Sequence, residues 1–407
     1  MKNNILHITP HLGGGVGTVL LNWLIYDKSN CHSIITLDYA NENGTRILKE
    51  NNIKLFSQIP TEQILSEIEQ ADITVIHFWN HPLLYDFLVR NKLPKSRIII
   101  WSHVLGAKPP YVFNEKLFDF CDKFVFTTPV SYNFYNRNPK FDCILSTGGI
   151  ERFKDIKPVK HDKYTVGYIG TVDYAKMHPE YINILSKTKA EKIFVVGGDN
   201  EEQICKDADE RFAVTGKLSD ISSVLEQIDV FAYLLNPNHY GTAEQVLQEA
   251  MSAGIPPVVL NNPCEASLVK HLETGLIANN LEEYVDYINL LKEDINLRYK
   301  LGNNAKTYAI ENFSLEKLTF DWNSIFKQIM ELPKTCRSWE INKTSLTSYD
   351  IFLESLGKDR SLFENKSDNE IKELLKEPSW SSDTKGTPKQ YFNFLGGNEL
   401  KHICSLY

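Results

Sequence analysis

No two of the seven cysteines stand in a C-x-x-C pair: Cys31, Cys121, Cys143, Cys205, Cys264, Cys336 and Cys404 are scattered along 407 residues. That spacing speaks against a zinc knuckle, a paired-thiol redox motif and a disulfide framework, and an odd, dispersed set fits a reducing compartment. Long apolar runs are missing too. Nothing approaches the roughly 18 to 20 residues of a bilayer-spanning helix, and Pro10 with the glycines after it cuts the first apolar segment short of a signal-peptide core. A cytoplasmic location is expected, with peripheral contact at the inner face of a membrane as a further option. Positive charge is not in excess: 44 Lys and Arg against 52 Asp and Glu leave a formal charge of -8. Non-specific nucleic-acid binding needs clustered cations to release counterions, so nucleic acid is not an expected partner. There is no G-x-S-x-G nucleophile elbow. A D-x-D pair, Asp207 and Asp209, does occur, but it sits in a charged stretch with no apolar strand leading into it. Neither a metal nor a cofactor is expected.

What is present is an alternation. Hydrophobic residues make up 42% and charged residues 24% of a chain longer than one ordinary core, so two domains and an appendage are expected. Short β-rich runs at 5–8, 33–37, 73–78, 98–101 and 124–127 are separated by longer mixed stretches, and the rhythm restarts at 166–169, 192–196, 230–234 and 258–260. This pattern predicts an α/β fold with two Rossmann-like, doubly wound domains, helices over 281–291 and 297–310, and a hinge in the polar stretch 154–163 around Pro158. The carboxyl ends of both sets of strands should line a cleft. The domains are expected at 1–155 and 156–315, followed by a crossover helix within 316–335 and a mainly helical extension over 336–407. That extension holds Trp339, Phe352, Phe363, Trp380, Tyr391, Phe392 and Phe394, enough aromatic surface to require packing against something, its own protein first.

Several segments offer chemistry. Thr242 followed by Gln245 has the form of a capping box, and Val246, Leu247, Ala250 and Met251 share one helical face, so a helix is predicted from Ala243 to a stop at Gly254, with Pro256 and Pro257 beyond it. A Gly at 241 would let an anion approach the free N–H groups of the first turn. Glu249 would lie about two turns, roughly 10 Å, inside that helix, where a carboxylate can accept bonds from two ribose hydroxyls. In the first domain Gly14, Gly15 and Gly17 lie between the first strand and a helix expected over 19–26, where backbone N–H groups can meet a phosphate. The run is not the G-x-G-x-x-G dinucleotide fingerprint. His77 and His103 each end an apolar strand. In the second domain Gly170 and Thr171 open a loop that closes on Lys176, while Gly197 and Gly198 end the next strand and Gly216 precedes Lys217.

Glu249-Ala250-Met251 with Gly254 and Pro256, together with Glu265 and Thr274-Gly275, resembles the donor-site segment of retaining glycosyltransferases of family 4, which have the GT-B fold. The resemblance covers roughly residues 1 to 330. The family places a first glutamate eight residues before the second; that position is Gly241 here, with Glu244 nearby instead, and its glycine-arginine pair is represented by Gly170 and Thr171. The resemblance implies transfer of a hexose-type sugar from a nucleoside diphosphate, UDP favoured, to a hydroxyl with retention, in bacterial surface polysaccharide or glycan assembly. It implies that Tyr240, Gly241, Thr242, Ala243 and Lys176 hold the diphosphate, Glu249 the ribose, and His103 and Glu244 the sugar. It assigns Gly14, Gly15 and Gly17 to donor phosphate or acceptor, and Gly197 and Lys217 to the donor's surroundings. The acceptor would be a glycan, lipid-linked or protein hydroxyl. Two other readings stay open: a GT-B-like subunit that binds glycan or partner without catalysis, and a sugar-nucleotide epimerase of similar fold.

Overall fold

Strands that are apolar on both faces can only be satisfied inside a sheet covered on both sides, and the chain builds two such sheets. In the computed structural model, which describes residues 2–135, 138–198, 206–341 and 345–407, the first sheet has seven strands. Their spatial order is Phe141–Cys143, Lys123–Phe126, Ile98–Ser102, Ile73–Phe78, Asn4–Thr9, Cys31–Thr36 and Lys54–Ser57. Every neighbouring pair is parallel. The second sheet runs Phe212–Gly216, Lys192–Val196, Thr165–Ile169, Val230–Tyr233, Pro257–Leu260 and Leu276–Ala278, again all parallel. Parallel pairing demands crossovers, which helices such as Gly14–Tyr26, Thr61–Gln70, Tyr181–Ser186 and Gln245–Ser252 supply. In each sheet the chain starts in the middle, winds to one edge, then returns to wind to the other. The reversal falls between Asn4–Thr9 and Ile73–Phe78 in the first sheet and between Thr165–Ile169 and Val230–Tyr233 in the second. These are two Rossmann-like α/β domains, and ligand sites in such sheets form outside the carboxyl ends at the reversal.

Residues Met1–Ser146 with Leu318–Tyr407 form one compact unit and Thr147–Lys317 the other. The polar stretch 154–163 lies inside the second unit. In the first unit, Trp23 stacks on Trp322 at 5.0 Å between ring centroids, and Trp101 meets Trp322 edge-on at 4.9 Å. All three rings are fully buried, and truncating any of them to alanine is expected to cost about 3–5 kcal/mol. Trp322 belongs to the helix Leu315–Met330.

The extension packs on its own unit. Thr335–Arg337 pairs antiparallel with Leu93–Ser96, and helices Ser348–Leu356 and Pro388–Leu395 lie on helix Pro82–Arg90. Trp339 donates its Nε1–H to Glu354 at 2.9 Å, and Lys116 Nζ reaches the same oxygen at 2.9 Å. Phe352, Phe363, Trp380 and Tyr391 form one buried cluster of rings. Six cysteines are free of disulfides, while Cys205 lies outside the described residues. Among the described residues no helix is long and apolar enough to cross a membrane.

Two helix starts differ from expectation. The first helix begins at Gly14, not near residue 19, so Gly14, Gly15 and Gly17 are its first turn; Gly14, at φ +61°, takes the left-handed turn that leads into it. The helix predicted from Ala243 starts at Gln245, with Glu244 as its left-handed N-cap at φ 40° and ψ 64°. Thr242 therefore makes no capping box with Gln245, because the backbone turns at Glu244 to bury that side chain.

Candidate active site

The reversal of the second sheet places two loops side by side. One follows Thr165–Ile169 and carries Lys176; the other follows Val230–Tyr233 and carries residues 234–244. They are stitched together. The N–H of Asn236 donates to the Lys176 carbonyl at 2.8 Å, the Asn236 amide to the Tyr174 carbonyl at 2.7 Å, and the His178 N–H to the Leu234 carbonyl at 3.1 Å. With its backbone so fixed, Lys176 sets its Nζ 2.9 Å from Glu244 Oε2 and over the Tyr240 ring at 5.8 Å. The Tyr233 hydroxyl donates to the same carboxylate. His239 stands alongside: its Nδ1 accepts from the Gly241 N–H at 3.0 Å, and its Nε2 donates to Glu265 Oε2 at 2.9 Å. Asn262 closes the row with a 2.9 Å bond to Glu265 Oε1.

These groups are buried, so each charge depends on the next. Burial alone would raise the Glu244 carboxyl; the Lys176 charge, the neighbouring His239 and the Tyr233 hydroxyl outweigh it and hold the group ionised, well below its usual range. Burial likewise opposes the Lys176 charge, and Glu244 overcomes that and raises the ammonium. Burial would lower His239, but Glu265 and Glu244 raise it. One atom of the cluster is unsatisfied: Glu244 Oε1 is buried without a hydrogen-bond donor. A buried carboxylate oxygen with no donor is costly, and a hydroxyl brought by a ligand would remove that cost.

The reason for glycine at 241 differs from the expectation. A Cβ there would stand 1.7 Å from Glu244 Oε1 and 3.0 Å from His239 Nδ1. The space is filled by the Glu244 carboxylate, and the Gly241 N–H is already spent on His239, so an anion is not what requires the glycine. Thr242 and Ala243 are buried beneath this turn, and the Ala243 carbonyl accepts from the Gln248 amide at 2.6 Å.

Glu249 lies one helical turn, about 6 Å, past Gln245, closer to the helix start than the sequence suggested. Its Oε1 would be 2.6 Å from a Cβ on Gly149, so the carboxylate rests on a bare backbone. Burial pushes its pKa up to about 7, with Arg152 opposing.

The remaining candidates are distributed around both units. A Cβ on Gly197 would meet the Gly170 carbonyl at 1.7 Å; the two glycines let neighbouring strands touch backbone to backbone. Their N–H groups donate to Gly216 and Val196 carbonyls, both at 2.9 Å, and are thereby committed within the sheet. The Thr171 carbonyl accepts from Tyr168. Lys217 is exposed beside Gly198. Thr274 and Gly275 serve a turn, where Thr274 Oγ1 accepts from the Lys270 N–H at 2.8 Å. Asp209 is bound to Arg211 by contacts of 2.7 and 3.0 Å, and among the described residues no cluster of side chains has the makings of a metal site. In the first unit, Gly14 and Gly15 are exposed at the mouth of a helix with no side-chain cap, and Gly17 is buried against Leu12. His77 is buried, and His103, half-buried, follows strand Ile98–Ser102. Sequence reasoning passed over Tyr233, His239 and Gly149. A histidine two residues before Gly241 and the pair Gly148-Gly149 were the signals available.

Residues 149–308 match the family model described as glycosyl transferases group 1. Over 98 residues, 24% of this chain, the sequence is 29% identical to glycosyltransferase 1 domain-containing protein 1 of Xenopus tropicalis, and the match spans 28% of that relative's length. Among solved structures, HepE of Anabaena in complex with UDP-glucose superposes with a TM-score of 0.65 at 15% identity, covering 80% of this chain and 100% of that one. Sucrose-phosphate synthase of Thermosynechococcus elongatus gives 0.61 at 14% identity, covering 81% of this chain and 100% of the other. The architecture is therefore that of the GT-B glycosyltransferases.

Proposed function

We propose that this protein is a retaining glycosyltransferase that moves a hexose-type sugar from a UDP-sugar to a hydroxyl of a glycan, a lipid-linked acceptor or a protein, working in the cytoplasm in the assembly of a bacterial surface polysaccharide or related glycan. The observation that carries this reading is the buried Lys176–Glu244 pair with its unsatisfied Oε1 at the sheet reversal, inside the segment that matches the group 1 glycosyl transferases.

Breaking the bond between the anomeric carbon and the diphosphate leaves negative charge on the departing phosphate. Lys176, held as a cation beside Glu244, offsets part of that charge. The incoming hydroxyl gives its proton to the departing phosphate as the new bond forms on the same face, so no side-chain nucleophile is required. Glu249 accepts the ribose hydroxyls. Glu244 takes the sugar through Oε1, in place of the glutamate that the family carries at the position of Gly241, and His103 serves the sugar as the family resemblance implies. UDP and glucose enter this reading because HepE was solved with UDP-glucose.

The deciding experiment incubates the purified chain with a panel of UDP-hexoses, with and without candidate acceptors, and follows UDP release and the anomeric configuration of products by NMR. Release of UDP with an α-linked product from an α-donor is the expected result. Failure of every nucleotide sugar to be hydrolysed or transferred would leave a binding subunit, and conversion of the donor with no acceptor and no UDP release would make the protein an epimerase.

A further inference from the structure

Four histidines of the first unit form a continuous hydrogen-bonded row through its sheet, and a carboxylate closes one end. Asp27 Oδ2 lies 3.0 Å from His32 Nε2; His32 Nδ1 lies 3.0 Å from His7 Nε2; His7 Nδ1 lies 3.0 Å from His77 Nε2; His77 Nδ1 lies 3.1 Å from His103 Nε2. His32, His7 and His77 sit on adjacent parallel strands and His103 follows the next one. The row thus crosses three inter-strand steps, about 14 Å. His7 and His77 are fully buried, with Trp23 edge-on to His7 at 5.3 Å and Trp101 against His103 at 4.7 Å.

A neutral imidazole has one donor nitrogen and one acceptor nitrogen. In a row linked Nε2 to Nδ1, the tautomer of one ring therefore dictates the tautomer of the next. The Asp27 end breaks the tie. Its two oxygens are surrounded by donors: the Ser29 N–H at 2.8 Å, the Ser29 hydroxyl, and the Asn30 amide at 2.8 Å. Burial works against the charge of Asp27, but these bonds and His32 hold the carboxyl well below its usual range. It can only accept, so His32 must present Nε2–H, and each following ring inherits the same polarity.

We propose that Asp27, His32, His7 and His77 are positioning residues that hold His103 as its Nε2–H tautomer, leaving Nδ1 as a hydrogen-bond acceptor for a hydroxyl of the donor sugar. This rests on the assignment of His103 to the sugar in the function proposed above. A lone imidazole at a strand end can turn over and present either a donor or an acceptor; one at the end of this row presents only an acceptor. His103 then favours a sugar carrying a hydroxyl at that point over its deoxy counterpart, and the preference is set by a carboxylate at the far end of the row.

The test reads the tautomers directly. Side-chain nitrogen NMR of protein labelled with 15N-histidine, recorded at pH 8, should show His103 with its proton on Nε2, assigned by comparison with His103→Gln. Asp27→Asn turns an amide N–H toward a ring of donors and should shift His103 toward Nδ1–H, as should His32→Leu. His32→Gln, whose amide donates to Asp27 and whose carbonyl accepts from His7, should retain the wild-type state at His103. In Asp27→Asn, kcat/KM for the donor should fall about tenfold, the loss of one hydrogen bond, with UDP affinity unchanged because UDP lacks the sugar. Wild-type His103 carrying its proton on Nδ1, or His32 carrying two protons, overturns the proposal even if no variant folds. An unchanged His103 signal in folded Asp27→Asn and His32→Leu overturns it as well. A tautomer that shifts as expected with no change in donor kinetics leaves the row in control of His103 and removes the sugar assignment.

Discussion

Lys176 and Glu244 neutralise one another across 2.9 Å in a site where the exposed share of their side chains is 15% and 1%. The cation expected at a diphosphate and the carboxylate expected at a sugar are thus one ion pair before any ligand arrives. Removing either partner strands the other charge in a buried setting, which costs about 3–5 kcal/mol, whereas removing both costs much less. Urea denaturation of Lys176→Met, Glu244→Gln and the double variant should give a double variant more stable than the sum of the singles by at least about 1 kcal/mol. Additive losses would show that the pair is not coupled.

Because the Glu244 carboxylate fills the space of a side chain on residue 241, Gly241→Ala should be strongly destabilising, and Glu244→Gly should relieve it. The second change also removes a non-glycine residue from the left-handed region, where strain of about 1 kcal/mol or more is stored. Thermal unfolding of the two singles and the double gives the answer. Because Glu244→Gly by itself strands Lys176, the readout is the coupling: a double variant whose loss equals the sum of the two singles would mean that His239, 3.0 Å from the same Cβ, is the real obstacle.

Glu249 should couple stability and nucleotide binding to pH. Its folded pKa is raised from 4.5 to about 7. Between those values the unfolded chain has released its proton and the folded protein has not, so stability falls as pH rises from about 4.5 to about 7, by up to about 3 kcal/mol, and is flat above. Accepting two ribose hydroxyls requires the ionised form, so UDP affinity should rise with pH through the same window and UDP binding should release a proton at pH 6. Calorimetry in buffers of different ionisation enthalpy measures that release. Glu249→Gln should abolish it; a proton release that persists in this variant assigns the titration elsewhere.

Transfer should survive chelation. Lys176 supplies the positive charge that a divalent ion would bring, and Asp209 is engaged by Arg211. Rates with excess chelator and with magnesium should agree within error; loss of turnover restored by manganese would refute the expectation.

The interior of both sheets was legible from sequence because central strands are mostly apolar on both faces. Ile73–Phe78 and Lys192–Val196 fell where the pattern put them. Within the two large sheets, the strands that the pattern does not mark, Lys54–Ser57, Phe141–Cys143, Phe212–Gly216 and Leu276–Ala278, are the four edges. An edge strand is paired on one side, short, and partly polar, so it carries little periodicity of its own. At the candidate site, Glu249 is singled out by its place on a helix and Lys176 by the family resemblance. The start of the helix that carries Glu249 could not be found in this way, since Thr242 and Gln245 satisfy the capping pattern and only the burial of Glu244 against Lys176, a contact across 68 residues of chain, overrides it. The histidine row was invisible for the same reason: His7, His32, His77 and His103 become neighbours only when four strands align.

The first unit is completed by residues that are made after the whole of the second. Its chain leaves at Ser146 and returns at Leu318, so on a ribosome Trp23 and Trp101 emerge long before Trp322, the ring that covers them. The intervening unit has all six of its strands in hand before that return and can fold during synthesis, as domains commonly do. The amino-terminal sheet must wait, with an aromatic face open to solvent or to a chaperone, until Trp322 has emerged. A nascent chain stalled near Lys317 should therefore hold one finished domain and one sticky, protease-sensitive half.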